Sequence, residues 1–269
     1  MSTARIETLA AGLAAARENG TTIAPPDEQP TLREAYAIQD AASARLDARS
    51  SGWKVGSTSE QAQRRLGTNE PGAGRLPQRF THASGAVVPI ARAHGVCVEV
   101  EFAFRMGRDL EPRARPYTTG EVRAAIDALV PAMELVGSRF DTGLSCSGRC
   151  LVTADGGANV ALITGTDLAL DPSMDLRACV CRLFHNDRMV AEGAGERALG
   201  DPMNVLMWLV EHLSGRGLGL ARGAIVSTGT CTGLVPVSAG DRLLAVFDGL
   251  GQVEAVLSDQ TATSATGTS

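Results

Sequence analysis

Two glutamates separated by a single residue are the first candidates for chemistry. The run V-C-V-E-V-E-F-A-F-R-M at 96–106 alternates with a period of two, which predicts a strand. On such a strand Glu99 and Glu101 point the same way, about 6–7 Å apart. Like charges side by side repel each other, and a cation between them removes that cost. Carboxylate oxygens are hard ligands that suit Mg²⁺ or Mn²⁺.

A third acid, Glu134, is the only charged residue in the run P-A-M-E-L-V-G-S at 131–138. A buried carboxylate with no basic neighbour in its own segment needs a metal, a distant partner or a proton. The alternative for all three glutamates is that each meets an arginine in an ordinary ion pair. The residues alone leave both interpretations open.

Lys54 is unusual because it is the single lysine among 25 basic residues, the other 24 being arginine. Arginine is effectively always protonated, whereas a buried lysine can shift its pKa and move protons. A lone lysine in an arginine-rich chain therefore indicates a position where the two residues are not exchangeable. Chance survival of one surface lysine is the alternative.

Composition excludes several classes of function. Hydrophobic residues make up 44% and charged residues 20%, as in ordinary globular proteins. A net charge of -5, an aromatic share of 4% and the lack of a basic run argue against nucleic acid. No stretch approaches the roughly 20 apolar residues of a membrane helix, and the N-terminus lacks signal-peptide character. We expect a cytoplasmic protein.

Other catalytic and metal-binding patterns are weak. The sequence contains no serine-nucleophile elbow, no His-Glu-x-x-His and no phosphate loop, and its four histidines show no pairing. Zinc binding by Cys146, Cys150, Cys179 and Cys181 is one interpretation of the six cysteines. Their spacings are not those of structural zinc sites, so free and mostly buried thiols are favoured.

The elements that must position these residues form an α+β pattern. Helices are predicted at 4–18, from the capping box Thr31–Glu34 to about 48, from the capping box Thr118–Glu121 to near Pro131, and at 201–213. Strands are predicted at 96–106, 159–164, 177–184, 224–228, 233–237, 242–247 and 252–257. We expect a small helical N-terminal part (1–80), a strand-rich catalytic body (81–258) and a disordered tail (259–269).

Six elements occur in an order that resembles a known family. They are Gly52-Trp53-Lys54-Val55-Gly56 with Ser57-Thr58-Ser59, Glu99-Val100-Glu101, the segment 131–139, Ala154-Asp155, the segment 199–204, and Ser227-Thr228-Gly229 leading to 236–241. Together they resemble the 2-hydroxypenta-2,4-dienoate hydratases and 4-oxalocrotonate decarboxylases of the fumarylacetoacetate hydrolase superfamily. A Glu-x-Glu alone is weak, but six elements in order at the family's spacing are specific.

The resemblance implies a strand-rich β-roll or barrel body and a homo-oligomeric lyase that acts on a small 2-oxo acid with Mg²⁺ or Mn²⁺. It makes Glu99, Glu101 and Glu134 the metal ligands, and Lys54 and Asp155 catalytic residues. The implied substrate-binding residues are Arg79, Ser59, Ser138, Arg139 and Thr228.

The sequence departs from the family pattern at two positions, and its motifs do not decide between hydration and decarboxylation. Arg79 stands where the family usually has an acid, and Gly156 where it tends to have asparagine. One interpretation is that Arg79 binds a second substrate carboxylate through two hydrogen bonds. The other is that the position equivalent to the family's acid lies one or two residues away in the same loop. Gly137-Ser138-Arg139 looks like the hydratases, whereas the segment 232–237 looks like the decarboxylases. Hydration is favoured and decarboxylation is the alternative. A diverged relative with another 2-oxo acid substrate and a non-catalytic metal-binding subunit are the further hypotheses.

Overall fold

The computed structural model describes residues 1–47, 49–171 and 173–260. Its helices are α1 (Thr3–Asn19), α2 (Leu32–Leu46), α3 (Glu60–Leu66), α4 (Thr119–Arg123), α5 (Gly143–Cys146), α6 (Arg149–Ala154) and α7 (Pro202–Gly215). The first seven strands are β1 (Ser50–Gly56), β2 (Gly72–Pro77), β3 (Thr81–Ala83), β4 (Ala86–Ile90), β5 (Cys97–Met106), β6 (Ile126–Val136) and β7 (Asn159–Thr164). The remaining strands are β8 (Val180–His185), β9 (Arg188–Ala194), β10 (Ile225–Thr230), β11 (Val235–Pro236), β12 (Arg242–Phe247) and β13 (Gly251–Asp259).

The described strands form two mixed sheets. The larger has the order β2-β1-β10-β5-β6-β7-β3, with β11 paired to β5, and the smaller has the order β4-β13-β12-β8-β9. The α+β class is therefore confirmed, and in the described residues the strands form two sheets of linear order. Since β1 and β2 belong to the larger sheet, the predicted N-terminal part contributes strands to the body as well as helices.

The local capping signals were accurate. Both sides of the predicted capping box at Thr31 and Glu34 are formed, and α1 ends at Gly20 in the left-handed region with φ 66°. Asp201 caps α7, which has Pro202 in its first turn. Such caps satisfy backbone groups within a few residues of each other, so they can be identified from sequence alone.

The helix predicted from Thr118 to near Pro131 is wrong. Its capping box is present, but α4 ends at Arg123 and β6 begins at Ile126. β6 pairs with β5 on one side and β7 on the other, and every residue from Ala128 to Val136 is buried. A continuous apolar run of this kind suits a strand in the middle of a sheet, and this pairing outweighs the local proline signal.

Smaller corrections concern β8 and the tail. The strand expected at 177–184 begins at Val180 and ends at His185. β13 extends through Asp259, where the tail was expected to begin, and the Gln260 amide donates to the carbonyl oxygens of Arg17 and Glu18. The rest of the predicted tail, 261–269, lies outside the described residues. The strands β1, β2, β3, β4 and β9 and the helices α3, α5 and α6 were not among the predicted elements.

The main core lies on one face of β5 and joins the two sheets. Val98, Val100, Phe102 and Phe104 are fully buried, as the period of two required. The Phe102 ring packs edge-on against Phe247 of the smaller sheet at 5.2 Å between centroids. Burying a phenylalanine contributes about 1.5–3 kcal/mol, so these contacts hold β5 in position and thereby set the opposite face, which carries the glutamates.

Two expectations about composition can be compared with the structure. In the described residues, no helix is both long and apolar enough to span a membrane. Five cysteine side chains are described, and all are free thiols: Cys97, Cys150, Cys179, Cys181 and Cys231. Cys181 and Cys231 are buried and the other three are half-buried, which agrees with the free-thiol interpretation. The side chain of Cys146 lies outside the description.

Candidate functional site

Antiparallel pairing of β5 with β6 brings the three glutamates together. Glu99 lies directly opposite Glu134 in the register, and Glu101 lies two residues farther along β5 on the same face. Oxygen atoms of the three carboxylates lie within 4.8 Å of one another. Glu101 and Glu134 are fully buried, whereas Glu99 is partly exposed. We call these three residues the carboxylate cluster.

Hydrogen bonds hold one oxygen of each buried carboxylate in place. The Ser227 hydroxyl and the Gly229 amide both donate to Glu101 Oε2, the amide at 2.9 Å. The Asn159 side-chain amide donates to Glu134 Oε1 at 2.8 Å. Glu101 Oε1 is buried and has no hydrogen-bond partner among the described residues. A buried carboxylate oxygen left without a partner is costly, and a cation bound to Glu101 Oε1 would remove that cost.

The three carboxylates of the cluster repel one another. Burial, together with the charges of Glu134 and Glu99, raises the pKa of Glu101 well above its ordinary value. Burial also raises the pKa of Glu99 to about 7, with Glu134 adding to the rise and Lys54 opposing it. A divalent cation among the oxygens would remove this repulsion. The donor set consists of carboxylate oxygens, so the residues present fit a hard ion such as Mg²⁺.

Lys54 completes the charge arrangement from β1. Its Nζ lies 3.1 Å from Glu134 Oε2 and donates to the Gly157 carbonyl at 2.9 Å. Burial alone lowers the pKa of Lys54, but attraction to Glu134, Glu99 and Glu101 outweighs burial and raises it. The aliphatic stem is tightly enclosed, since a Cβ on Gly157 would lie 2.9 Å from Lys54 Cδ. The lysine is thus charged and held beside the carboxylates.

A cavity of about 400 Å³ opens onto Lys54 and Glu99. Hydroxyl-bearing residues line one part of it, and Leu66, Val136, Leu144, Val152 and Leu234 provide apolar walls. This volume and mixture of a few polar groups with apolar walls are typical of sites for small organic ligands. The hydroxyl-bearing residues of the lining are Ser57, Thr58, Ser59, Ser145 and Thr230.

The structure brings some of the predicted substrate-binding residues to this cavity and not others. Ser59 lines it and caps α3. Thr228 is fully buried on the other face of β10, where its hydroxyl donates to the Phe102 carbonyl at 2.7 Å. The Ser138 hydroxyl is buried and bonded to the backbone of Phe140. Neither Thr228 nor Ser138 lines the cavity.

Arg139 and Asp155 form a buried ion pair rather than lining the cavity. Arg139 Nε lies 2.6 Å from Asp155 Oδ1, and the Arg139 amide donates to the other carboxylate oxygen at 2.9 Å. Burial raises the pKa of Asp155, and Arg139 opposes that rise. Arg139 also donates to the Asn159 carbonyl at 2.9 Å. The pair therefore supports the backbone that carries Asn159, and a direct catalytic role for Asp155 remains a prediction.

The two departures from the family pattern lie in different surroundings. The Arg79 side chain is 47% exposed, pairs with Glu18 at 2.8 Å and lies outside the cavity lining, so its role as a substrate contact remains a prediction. Gly156 has φ 65°, a left-handed conformation that glycine adopts freely and asparagine tolerates better than most residues. Glycine in place of asparagine therefore preserves this turn while removing a side chain.

Sequence reasoning missed residues that hold the cluster. Ser227 belongs to the motif Ser227-Thr228-Gly229, but the resemblance implies Thr228 as the substrate-binding residue of that motif. The period of two in a strand places Ser227 and Gly229 on the glutamate face and Thr228 on the other, so alternation could have identified Ser227. Asn159 offered no such signal, because it is one polar residue at the start of an apolar strand.

Comparison with known proteins shows similarity along most of the chain. The family profile described as "Fumarylacetoacetate (FAA) hydrolase C-terminal" matches residues 53–258. The 2-keto-4-pentenoate hydratase of Paraburkholderia xenovorans (strain LB400) is 33% identical over 254 residues, covering 92% of this chain and 93% of that protein. The 4-oxalocrotonate decarboxylase of Pseudomonas sp. (strain CF600) is 30% identical over 229 residues, covering 84% and 85%.

A solved structure shows the same similarity in three dimensions. The 4-oxalocrotonate decarboxylase from Pseudomonas putida G7, complexed with magnesium and adipate, superimposes with a TM-score of 0.87 at 28% identity. The match covers 96% of this chain and 98% of that one.

Proposed function

The chain belongs to the fumarylacetoacetate hydrolase family, and from that premise we propose that it is a divalent-metal-dependent lyase acting on a small 2-oxo acid. The reaction that we infer is hydration of a 2-hydroxy-dienoate or 2-oxo-enoate. The observation that carries the proposal is the carboxylate cluster, which lies beside Lys54 at a cavity of about 400 Å³.

Each residue of the site has a part in this proposal. Glu99, Glu101 and Glu134 would hold Mg²⁺ or Mn²⁺, and magnesium in the similar decarboxylase structure supports the former. When bound, the cation supplies Lewis-acid polarisation of the 2-oxo acid. Lys54 holds a proton at Nζ inside the cavity, where it can exchange that proton with a reacting carbon or oxygen. The apolar walls limit how much water surrounds the substrate.

Hydration is favoured by the relatives that carry that name. Relatives named 2-keto-4-pentenoate hydratase reach 33% identity over 92% of the chain, against 30% over 84% for a named decarboxylase. Decarboxylation of a 4-oxalocrotonate-type acid is the alternative, supported by the fold similarity to such an enzyme. The same site serves either reaction, since fold alone does not determine chemistry. A non-catalytic role is disfavoured by retention of the full cluster together with the single lysine.

The reaction can be assigned with two substrates. Purified protein with Mg²⁺ or Mn²⁺ is given 2-hydroxypenta-2,4-dienoate or 2-oxohex-3-enedioate, and dienol absorbance is followed beside CO₂ release. Loss of the first substrate without CO₂ supports the hydratase, and CO₂ from the second supports the decarboxylase. No turnover of either by metal-loaded protein would contradict both assignments.

The metal assignment is tested by Glu101→Gln, with Glu254→Gln, an exposed residue of β13, as the control. Mg²⁺ at 100 times its Kd should stabilise the wild type by about 2.7 kcal/mol. The Glu101 variant should lose both this stabilisation and turnover, because the amide retains the size of the side chain but not its charge. Turnover that survives Glu101→Gln would show that the metal assignment is wrong. The control should resemble the wild type.

Assembly and compartment are inferred from other features. Val87 and Val256 are neighbours on paired strands of the smaller sheet and are 63% and 39% exposed. An apolar patch of this kind supports a homo-oligomer, which light scattering would test. The free thiols support a reducing compartment such as the cytoplasm.

A further inference from the structure

Helix α3 ends in two arginines that have different surroundings. Arg64 Nη1 lies 3.2 Å from Glu60 Oε2 one turn earlier, and Arg64 does not line the cavity. Arg65 does line it. Among the described residues, Arg65 has no carboxylate oxygen within 4.0 Å, and the residues outside the description contain no Asp or Glu. Arg64 therefore pairs with a carboxylate outside the cavity, whereas Arg65 lines the cavity without such a partner.

The charges around the cavity leave Arg65 uncompensated. The other charged lining residues are Lys54 and Glu99, and Lys54 is paired with Glu134. In the described part of the chain, Arg65 is therefore the one cation of the lining without an acidic partner. It is exposed, whereas Lys54 is buried, so Arg65 lies toward the mouth of the cavity and the carboxylate cluster lies at its floor.

The walls between these two ends are mainly apolar. Leu66, Val136, Leu144, Val152 and Leu234 line the same cavity as the buried charges and the arginine. A ligand that complements the whole cavity is therefore anionic at the floor, where a cation would be held, aliphatic in the middle and anionic again at the mouth. Arginine is suited to the outer position because its planar guanidinium can bind a carboxylate through two hydrogen bonds.

We propose that Arg65 is a specificity-determining residue that binds a second carboxylate on the substrate, so that the enzyme prefers a 2-oxo dioate to a 2-oxo monocarboxylate. This inference rests on the proposed function, in which the 2-oxo acid end is held at the carboxylate cluster. From the sequence, Arg79 is a candidate for this contact with a distal carboxylate. Arg79 pairs with Glu18 and does not line this cavity, whereas Arg65 does line it.

Binding of two matched, unreactive ligands tests the proposal. 2-Oxoadipate and 2-oxohexanoate have the same six-carbon chain and differ only in the distal carboxylate. With Mg²⁺-loaded wild type, calorimetry should show that 2-oxoadipate binds at least about 10-fold more tightly, as expected for a charge-assisted contact. Arg65→Gln should abolish that preference and leave the affinity for 2-oxohexanoate unchanged. Arg65→Lys should restore part of the preference.

Arg64→Gln is the matched control, because it removes the same charge from the same helix outside the cavity. It should retain the full preference for 2-oxoadipate. Equal loss in the Arg64 and Arg65 variants would show a general charge effect and overturn the assignment, as would equal affinity of the wild type for both ligands. Binding of neither ligand would instead overturn the 2-oxo acid site itself, and with it the role of Arg65.

Turnover provides a second measurement on the same variants. For a dioate substrate, Arg65→Gln should raise KM by about 10-fold or more, while KM for 2-hydroxypenta-2,4-dienoate stays at the wild-type value. A parallel loss with both substrates would mean that Arg65 acts on the site as a whole and not on the distal carboxylate.

Discussion

The Asn159 side-chain amide donates a hydrogen bond of 2.8 Å to Glu134 Oε1 inside the protein. Asn159 Oδ1 in turn accepts a hydrogen bond of 2.9 Å from Arg17 Nη2, so α1 contributes to the orientation of a candidate metal ligand on β6. The second oxygen of Glu134 faces Lys54 at 3.1 Å. The Glu134 carboxylate is therefore held on both sides by groups from distant parts of the chain.

Asn159→Ala should weaken Mg²⁺ binding by about 10–100-fold, the usual effect of removing a group that orients a metal ligand. Calorimetric titration measures the change, and Asn204→Ala on the surface of α7 is the control. Arg17→Met should weaken binding through the same contact. Because both act through Glu134, the double variant should bind only slightly more weakly than Asn159→Ala. Fully additive losses would contradict this connection.

Metal binding should depend on pH through Glu99. Because the pKa of Glu99 is raised to about 7 by burial, protons compete with the cation below pH 7. Mg²⁺ affinity should therefore fall by up to about 10-fold per pH unit for this one proton between pH 7 and pH 6. Calorimetry at pH 6, 7 and 8 measures it. An affinity that is constant over this range would contradict the assignment of Glu99.

The same group should affect the stability of the metal-free protein in the opposite sense. The folded state binds the Glu99 proton more tightly than the unfolded chain, whose pKa is about 4.5. Its contribution to the free energy of unfolding is therefore full below pH 4.5 and is lost as pH rises through 7. The difference in stability between Glu99→Gln and the wild type should increase over that window. Burial lowers the pKa of His94 to about 4, so His94 makes the free energy of unfolding rise with pH. This contribution is the same in the wild type and the variant, and it therefore cancels in the difference between them.

Lys54→Met should lower kcat by about 10²–10⁴-fold, the range for loss of a proton-transfer group. Mg²⁺ should bind at least as tightly as to the wild type, because a cation next to the cluster has been removed. Lys54→Arg should not restore kcat, since the enclosed stem leaves little room and arginine does not release its proton. Substantial activity in either variant would exclude Lys54 as the proton carrier.

Asp155→Asn tests whether Asp155 is structural. Removing one partner of its buried pair with Arg139 should cost about 3–5 kcal/mol of unfolding free energy in urea. Asp187→Asn, which breaks an exposed pair with Arg242, should cost at most about 1 kcal/mol. If Asp155→Asn instead abolished turnover without loss of stability, Asp155 would have to act in the reaction.

Local patterns in the sequence were sufficient to predict several elements and the candidate ligands of this protein. The alternation at 96–106 placed Glu99 and Glu101 on one face of a strand, and capping boxes placed the starts of α2 and α4. The solitary lysine and the six ordered motifs indicated the family and the candidate ligands. The alternation, the capping boxes and each single motif depend on neighbours within a few residues, and the order of the motifs is a property of the sequence itself, so all of them can be identified without the structure.

Tertiary structure decided how these pieces meet. Glu134 was expected just beyond a helix, but pairing with β5 made its segment a strand and placed Glu134 opposite Glu99. Arg139 and Asp155 became a buried pair, and Asn159 and Ser227 became the supports of the cluster. Register between strands and the direction of a side chain into a cavity depend on contacts between residues far apart in sequence. No local pattern encodes them, so the role inferred for Arg65, unlike that for Lys54, required the folded protein.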